Sequence, residues 1–135
     1  MSKYAEKALT YHEMGYNCAQ AVLCAFSDRT DVDEKVLYKT AEGLGAGMGN
    51  RKNTCGALSG AVMLAGLINS SGDVKCSTKA GTYKLASDIV NEFERRCGAF
   101  TCTDIKGMTT GKPTASCSDC IVQAVAIAEE ILLNK

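Results

Sequence analysis

The sequence predicts an all-α fold, a compact single-domain bundle of about five main helices covering residues 1–135. Three observations predict it. Apolar residues recur at helical spacing along nearly the whole chain, no segment alternates like a half-buried strand, and capping residues stand just ahead of the apolar runs. A chain of 135 residues can bury a real core, and neither a linker nor an internal repeat divides it.

The first helix is expected from Ser2 to Met14, with Ala5, Ala8, Leu9 and His12 on one face and Gly15 ending it. Asn17 then reads as an N-cap, with Gln20 completing a capping box three residues later. That helix carries Cys18, Ala21, Val22, Ala25 and Phe26. Asp31 to Ala46 reads as a third, through Val32, Val36, Leu37, Thr40, Ala41 and Leu44. The run Gly43-Leu44-Gly45-Ala46-Gly47-Met48-Gly49 must break it into a permissive loop. Thr54 is expected to cap a fourth helix reaching Ile68. That helix is apolar all round and rich in Gly and Ala, so it should be central. Ser77 to Cys97 is amphipathic, with Tyr83, Ala86, Ile89, Val90, Phe93 and Cys97 on one stripe. Gly98 to Ala115, with the only proline, reads as loop with one short helical turn, and Ser116 to Leu133 as the last helix.

Charge and composition exclude several functions. The 15 basic and 15 acidic residues balance, and no Lys/Arg cluster suggests nucleic acid. The first residues lack the apolar run of a secretory signal. The most apolar segment, Gly56 to Ile68, is shorter than the roughly 20 residues a membrane span needs. The expectation is a cytoplasmic protein without membrane insertion. Small residues on the fourth helix suit a homodimer as well as packing within one chain.

Eight cysteines are the informative feature. In reducing cytosol they point to metal binding or thiol chemistry rather than structural disulfides, although some act simply as small buried apolar groups. Cys18 follows Asn17, Cys55 follows Thr54, Cys102 follows Thr101 and Cys117 follows Ser116, so each is expected at a first helical position. Free backbone N–H groups and the helix dipole favour a thiolate there. Cys24 lies mid-helix, Cys76 in a loop and Cys97 near a helix C-terminus, while Cys120 sits one turn into the last helix.

The segment Cys55-Gly56-Ala57-Leu58-Ser59-Gly60 resembles the C-G-A-x-x-G signature of the redox-active proteins named for a C_GCAxxG_C_C cysteine pattern. Gly15 to Val22 resembles that family's first cysteine segment, and Gly43 to Gly49 its glycine-rich turn. Cys102 and Cys117 fall where its third and fourth cysteines are expected. The resemblance implies an all-helical fold and four key cysteines, Cys18, Cys55, Cys102 and Cys117. A more distant similarity to the helical domain of split-Soret cytochromes, associated with an iron–sulfur centre, points toward a cluster. No C-x-x-C-H occurs, so covalent haem is not expected.

Several chemistries follow. Cys18, Cys55, Cys102 and Cys117 supply the four thiolates of an iron–sulfur cluster or other metal, with backbone N–H groups around Gly45, Gly47, Gly49 and Gly56 as donors to its sulfurs. Alternatively, Cys55, Cys117 and Cys120 act without metal, the Cys117-x-x-Cys120 pair resembling a thiol–disulfide exchange motif at a helix start. A third reading makes Cys117 and Cys120 one ligand pair of a structural zinc site. A fourth is a transport-accessory binding module with merely buried cysteines. The redox partner is not legible. His12 reads as a packing residue, and the glycine-rich run lacks the strand of a dinucleotide-binding fold.

Overall fold

The computed structural model describes residues 1–108 and 110–133. It is all-helical, with seven α-helices rather than about five: α1 (Lys3–Glu13), α2 (Cys18–Ala25), α3 (Glu34–Ala41), α4 (Gly56–Asn69), α5 (Lys79–Cys97), α6 (Cys102–Ile105) and α7 (Cys117–Ala128). Six of them correspond to the six apolar runs, and the seventh, α6, is the short turn within Gly98–Ala115, which has its own cap: the Thr101 side chain accepts from Asp104 N–H. Among the described residues the only β feature is an isolated antiparallel bridge between Thr54 and Thr101.

Local chemistry sets the helix starts. Ser2 caps α1, and Asn17 and Ser116 make full capping boxes with Gln20 and Asp119. The third helix is shorter than its apolar pattern suggests. Asp33 caps it by accepting from Lys35 N–H at 2.8 Å, and a 3₁₀ turn, Glu42–Leu44, follows it. The expected cap of α4 is also revised. Cys55 is itself the N-cap residue and helical geometry begins at Gly56, because the bridge to Thr101 holds Thr54 outside the helix.

α4 packs against α2, α5 and α7, and α2 also against α1 and α3. α2 is the more completely enclosed of the two, with every residue from Ala19 to Ala25 buried. One continuous core joins Val22, Leu23 and Phe26 to Leu58, Leu64, Ile89, Phe93, Ile121 and Val125. Each such side chain contributes roughly 1.5–3 kcal/mol on leaving water. Tyr4 stacks on Phe26 with ring centroids 4.5 Å apart. Two expected core positions face solvent instead: Val36, and Tyr83, which is 67% exposed. The buried stripe of α5 runs through Leu85, Ile89, Phe93 and Cys97 and passes Tyr83 by. Among the described residues, no helix is long and apolar enough to cross a membrane.

Glycines decide how α2 and α4 meet. A Cβ on Gly60 would lie 2.9 Å from the Ala19 carbonyl oxygen, and one on Gly56 would lie 3.2 Å from Ala19 N. The two glycines are one helical turn apart, so the backbones touch along the start of α4. That crossing sets Cys55, just ahead of Gly56, beside the start of α2 and Cys18.

Candidate functional site

The starts of α2, α4, α6 and α7 converge on a cavity of about 190 Å³, bordered by Cys18, Cys55, Cys102, Cys117 and Cys120. Each start is fixed independently. Asn17 accepts from Gln20 N–H, and its amide donates to the Glu42 carbonyl at 3.0 Å, tying Cys18 to the turn after α3. Gln20, the only buried polar side chain among the described residues, accepts from Asn17 N–H and donates to the Tyr38 carbonyl. Cys55 N–H donates to the Phe100 carbonyl and Cys102 N–H to the Asn53 carbonyl, both at 2.8 Å. These two bonds hold Cys55 and Cys102 on adjacent backbones.

Between α3 and α4 lies a strained turn. Ala46, Met48 and Arg51 have φ of 53°, 63° and 65°, interleaved with Gly47 at 59° and Gly49 at 84°. Left-handed geometry costs a non-glycine residue roughly 1 kcal/mol or more and persists where the surroundings enforce it. The turn also runs close to α6: a Cβ on Gly47 would lie 2.6 Å from Cys102 Cβ. Of the four glycines expected as donors, Gly47 and Gly56 line the cavity. Gly45 packs instead against the Asn17 side chain, and Gly49 has open space around it.

The expectation that the helix-start thiols favour the thiolate is corrected at Cys18 and Cys102. Burial pushes Cys18 up to about 12, with Cys117 and Cys55 nearby adding to the rise. Burial also raises Cys102, against the opposing charge of Lys106. Desolvation outweighs the helix dipole at both. Cys55 is instead lowered, to about 7, first by the Cys120 thiol beside it and then by the Ala57 and Leu58 N–H groups and Lys106. Cys120 is raised because it donates toward Cys55 and Cys97 while buried. Cys97 sits at a helix C-terminus, where the dipole disfavours a thiolate, yet it is lowered by the same Cys120 contact.

Two cavity cations escape the sequence reading. Lys106 Nζ lies 3.0 Å from Cys117 Sγ, and Arg51 lines the same cavity. Lys106 follows Cys102 by one helical turn, the signal that could have revealed it. His12, expected to pack, is half-buried; it also borders the cavity, with Nδ1 3.0 Å from the Tyr16 carbonyl oxygen. The remaining cysteines stand apart from the cavity. Cys24 is fully buried within α2, Cys76 is exposed in a 3₁₀ turn, and Cys97 is buried behind Cys120.

The donor set is thiol-rich, a residue type suited to soft-metal ligation or thiol exchange, although among the described residues no three His, Cys, Asp or Glu side chains are gathered as a metal-holding group. The pattern of the family described as "Putative redox-active protein (C_GCAxxG_C_C)" matches residues 16–131. The chain belongs to this family. The C_GCAxxG_C_C description supports a general redox role for this cysteine-rich, all-helical chain. No curated protein and no solved structure matches it.

Proposed function

We propose that this C_GCAxxG_C_C protein transfers electrons through an iron–sulfur cluster, or another thiolate-ligated metal, held by Cys18, Cys55, Cys102 and Cys117. One observation carries the reading: four thiols from four separately anchored helix starts border a single cavity of about 190 Å³. Four thiolates are the usual complement of such a cluster, which when bound supplies one-electron transfer. The chain's own residues supply the rest. Lys106 and Arg51 offset negative charge on the sulfurs, and Gly47 and Gly56 bring backbone close to the cavity. Cys120, buried behind Cys55, keeps that sulfur partnered.

Iron, zinc and acid-labile sulfide content, with a visible spectrum, on protein purified without oxygen tests the reading. Stoichiometric iron and sulfide that disappear in Cys55→Ser support it. Zinc alone favours the structural zinc site, and metal-free protein that also fails reconstitution removes the cluster.

A second reading is favoured by two thiol contacts, Cys55 with Cys120 and Cys18 with Cys117. Here the Cys55 thiolate attacks a partner disulfide, releasing one partner thiolate. Cys120 then displaces the second as it loses its proton. The protein gains one disulfide and the partner gains two electrons and two protons, one from the Cys120 thiol and one from solvent, which took the Cys55 proton when the thiolate formed. Cys117 would serve as the accessible thiol of the second pair. Mass spectrometry of the metal-free oxidised protein tests this: a Cys55–Cys120 or Cys18–Cys117 disulfide supports it, and eight thiols persisting after oxidation by a small disulfide remove it.

A further inference from the structure

The charges around the cavity are one-sided. Among the described residues, Lys106 and Arg51 line it and no carboxylate does. Among the described residues, neither cation ion-pairs with an acid, while Lys84, Arg95 and Arg96 all do. The acids nearest in sequence are committed elsewhere or exposed: Asp119 accepts from Ser116 N–H in the α7 capping box, and Asp104 faces solvent at the start of α6. With one thiol ionised, the cavity wall still carries net positive charge. Cys117 and Cys18 are half-buried, whereas Cys55, Cys102 and Cys120 are buried. Of the two more accessible sulfurs, Cys117 is the one against which Lys106 rests, at 3.0 Å.

We propose that Lys106 and Arg51 make this cavity an anion-selective site, so that the small molecules reaching Cys117 are negatively charged, thiol-reactive compounds. The inference rests on the reading of Cys117 as a functional thiol, and does not require a metal. A cation a few ångströms from the reacting sulfur attracts an anionic reagent before any bond changes, and the low-dielectric cavity wall strengthens that attraction. The same positive field suits the net negative charge of a thiolate-ligated centre.

The test uses two alkylating reagents of similar size, one anionic and one neutral, on reduced, metal-free protein. Cys117 displaces iodide from either: a C–S bond forms as the C–I bond breaks, and the thiol proton goes to solvent. Iodoacetate carries a negative charge and iodoacetamide none. Their rates at Cys117 are read by peptide mass spectrometry and normalised to the same peptide in the urea-unfolded chain. The expected normalised preference for iodoacetate is roughly tenfold. It should shrink in high salt, fall in Lys106→Met and Arg51→Met, and survive in Lys106→Arg. A normalised ratio at or below one, or one unchanged in both methionine variants, overturns the proposal. Should a variant fail to fold, the wild-type ratio and its salt dependence decide alone. Iron content measured on separate, anaerobically purified protein reports on the cluster independently, so either idea can fail while the other stands.

Discussion

Gly60 of α4 sits so close to Ala19 of α2 that a methyl group on the glycine would lie 2.9 Å from the Ala19 carbonyl oxygen. The glycine that ends the C-G-A-x-x-G segment therefore sets the distance between the two helices whose starts bear Cys18 and Cys55. Gly60→Ala tests this. Alanine is intrinsically the better helix former by about 1 kcal/mol, so a purely local effect would stabilise the protein. The backbone contact should reverse the sign, with a loss of roughly 1–3 kcal/mol in urea unfolding. Gly66→Ala in the same helix meets nothing within 4 Å and should be neutral or slightly stabilising.

Gly47 carries a second constraint, a φ of +59° together with the 2.6 Å approach to Cys102 Cβ. Gly47→Ala should displace Cys102 from the cavity wall and cost on the order of 2 kcal/mol. Cys102, buried in the native protein, should then alkylate faster, as peptide mass spectrometry would report. Gly49→Ala shares the left-handed φ, at +84°, but has open space around it. It should cost only the backbone strain and leave Cys102 protected.

Much of the site was legible because capping chemistry is local. Asn17 with Gln20 and Ser116 with Asp119 announce helix starts in a few residues, and the cysteines follow directly. Thr54 misled because its role is set by Thr101, far along the chain, and local sequence does not encode that bridge. The same blindness to tertiary surroundings explains the thiols. A helix start favours a thiolate at Cys18 and Cys102, but burial raises both, and burial comes from packing. Spacing one turn after Cys102 hints at Lys106, but its contact with Cys117 depends on another helix arriving beside it.

Asn17 joins three features: the α2 cap, the Glu42 carbonyl and the packing over Gly45. Asn17→Ala should cost about 1–2 kcal/mol, at the high end of cap losses because the Glu42 carbonyl loses its donor too. Asn17→Asp keeps the cap acceptor but loses that donor, so it should recover part of the stability. Thermal or urea unfolding of the pair separates the two contributions. A cap that matters only locally would make the aspartate variant equal to wild type.

The pH dependence of the reduced, metal-free protein follows from opposing thiols. Cys55 falls from an ordinary 9.0 to about 7. Between those values the unfolded chain holds a proton that the folded one has released, so stability rises with pH. This contribution is full above about 9 and is lost as pH falls through about 7; it is on the order of 2 kcal/mol. Cys18, raised to about 12, and Cys24, raised to about 11, act the other way. Their contributions are full below 9.0 and fade as pH rises through those values, and the raised Lys106 adds to the decline. The urea midpoint should therefore climb between about pH 7 and 9 and then fall. In Cys120→Ala, Cys55 loses the thiol that lowers it most, so the climb should flatten while the alkaline fall persists. A climb that survives in that variant would assign the lowered thiol to a residue other than Cys55.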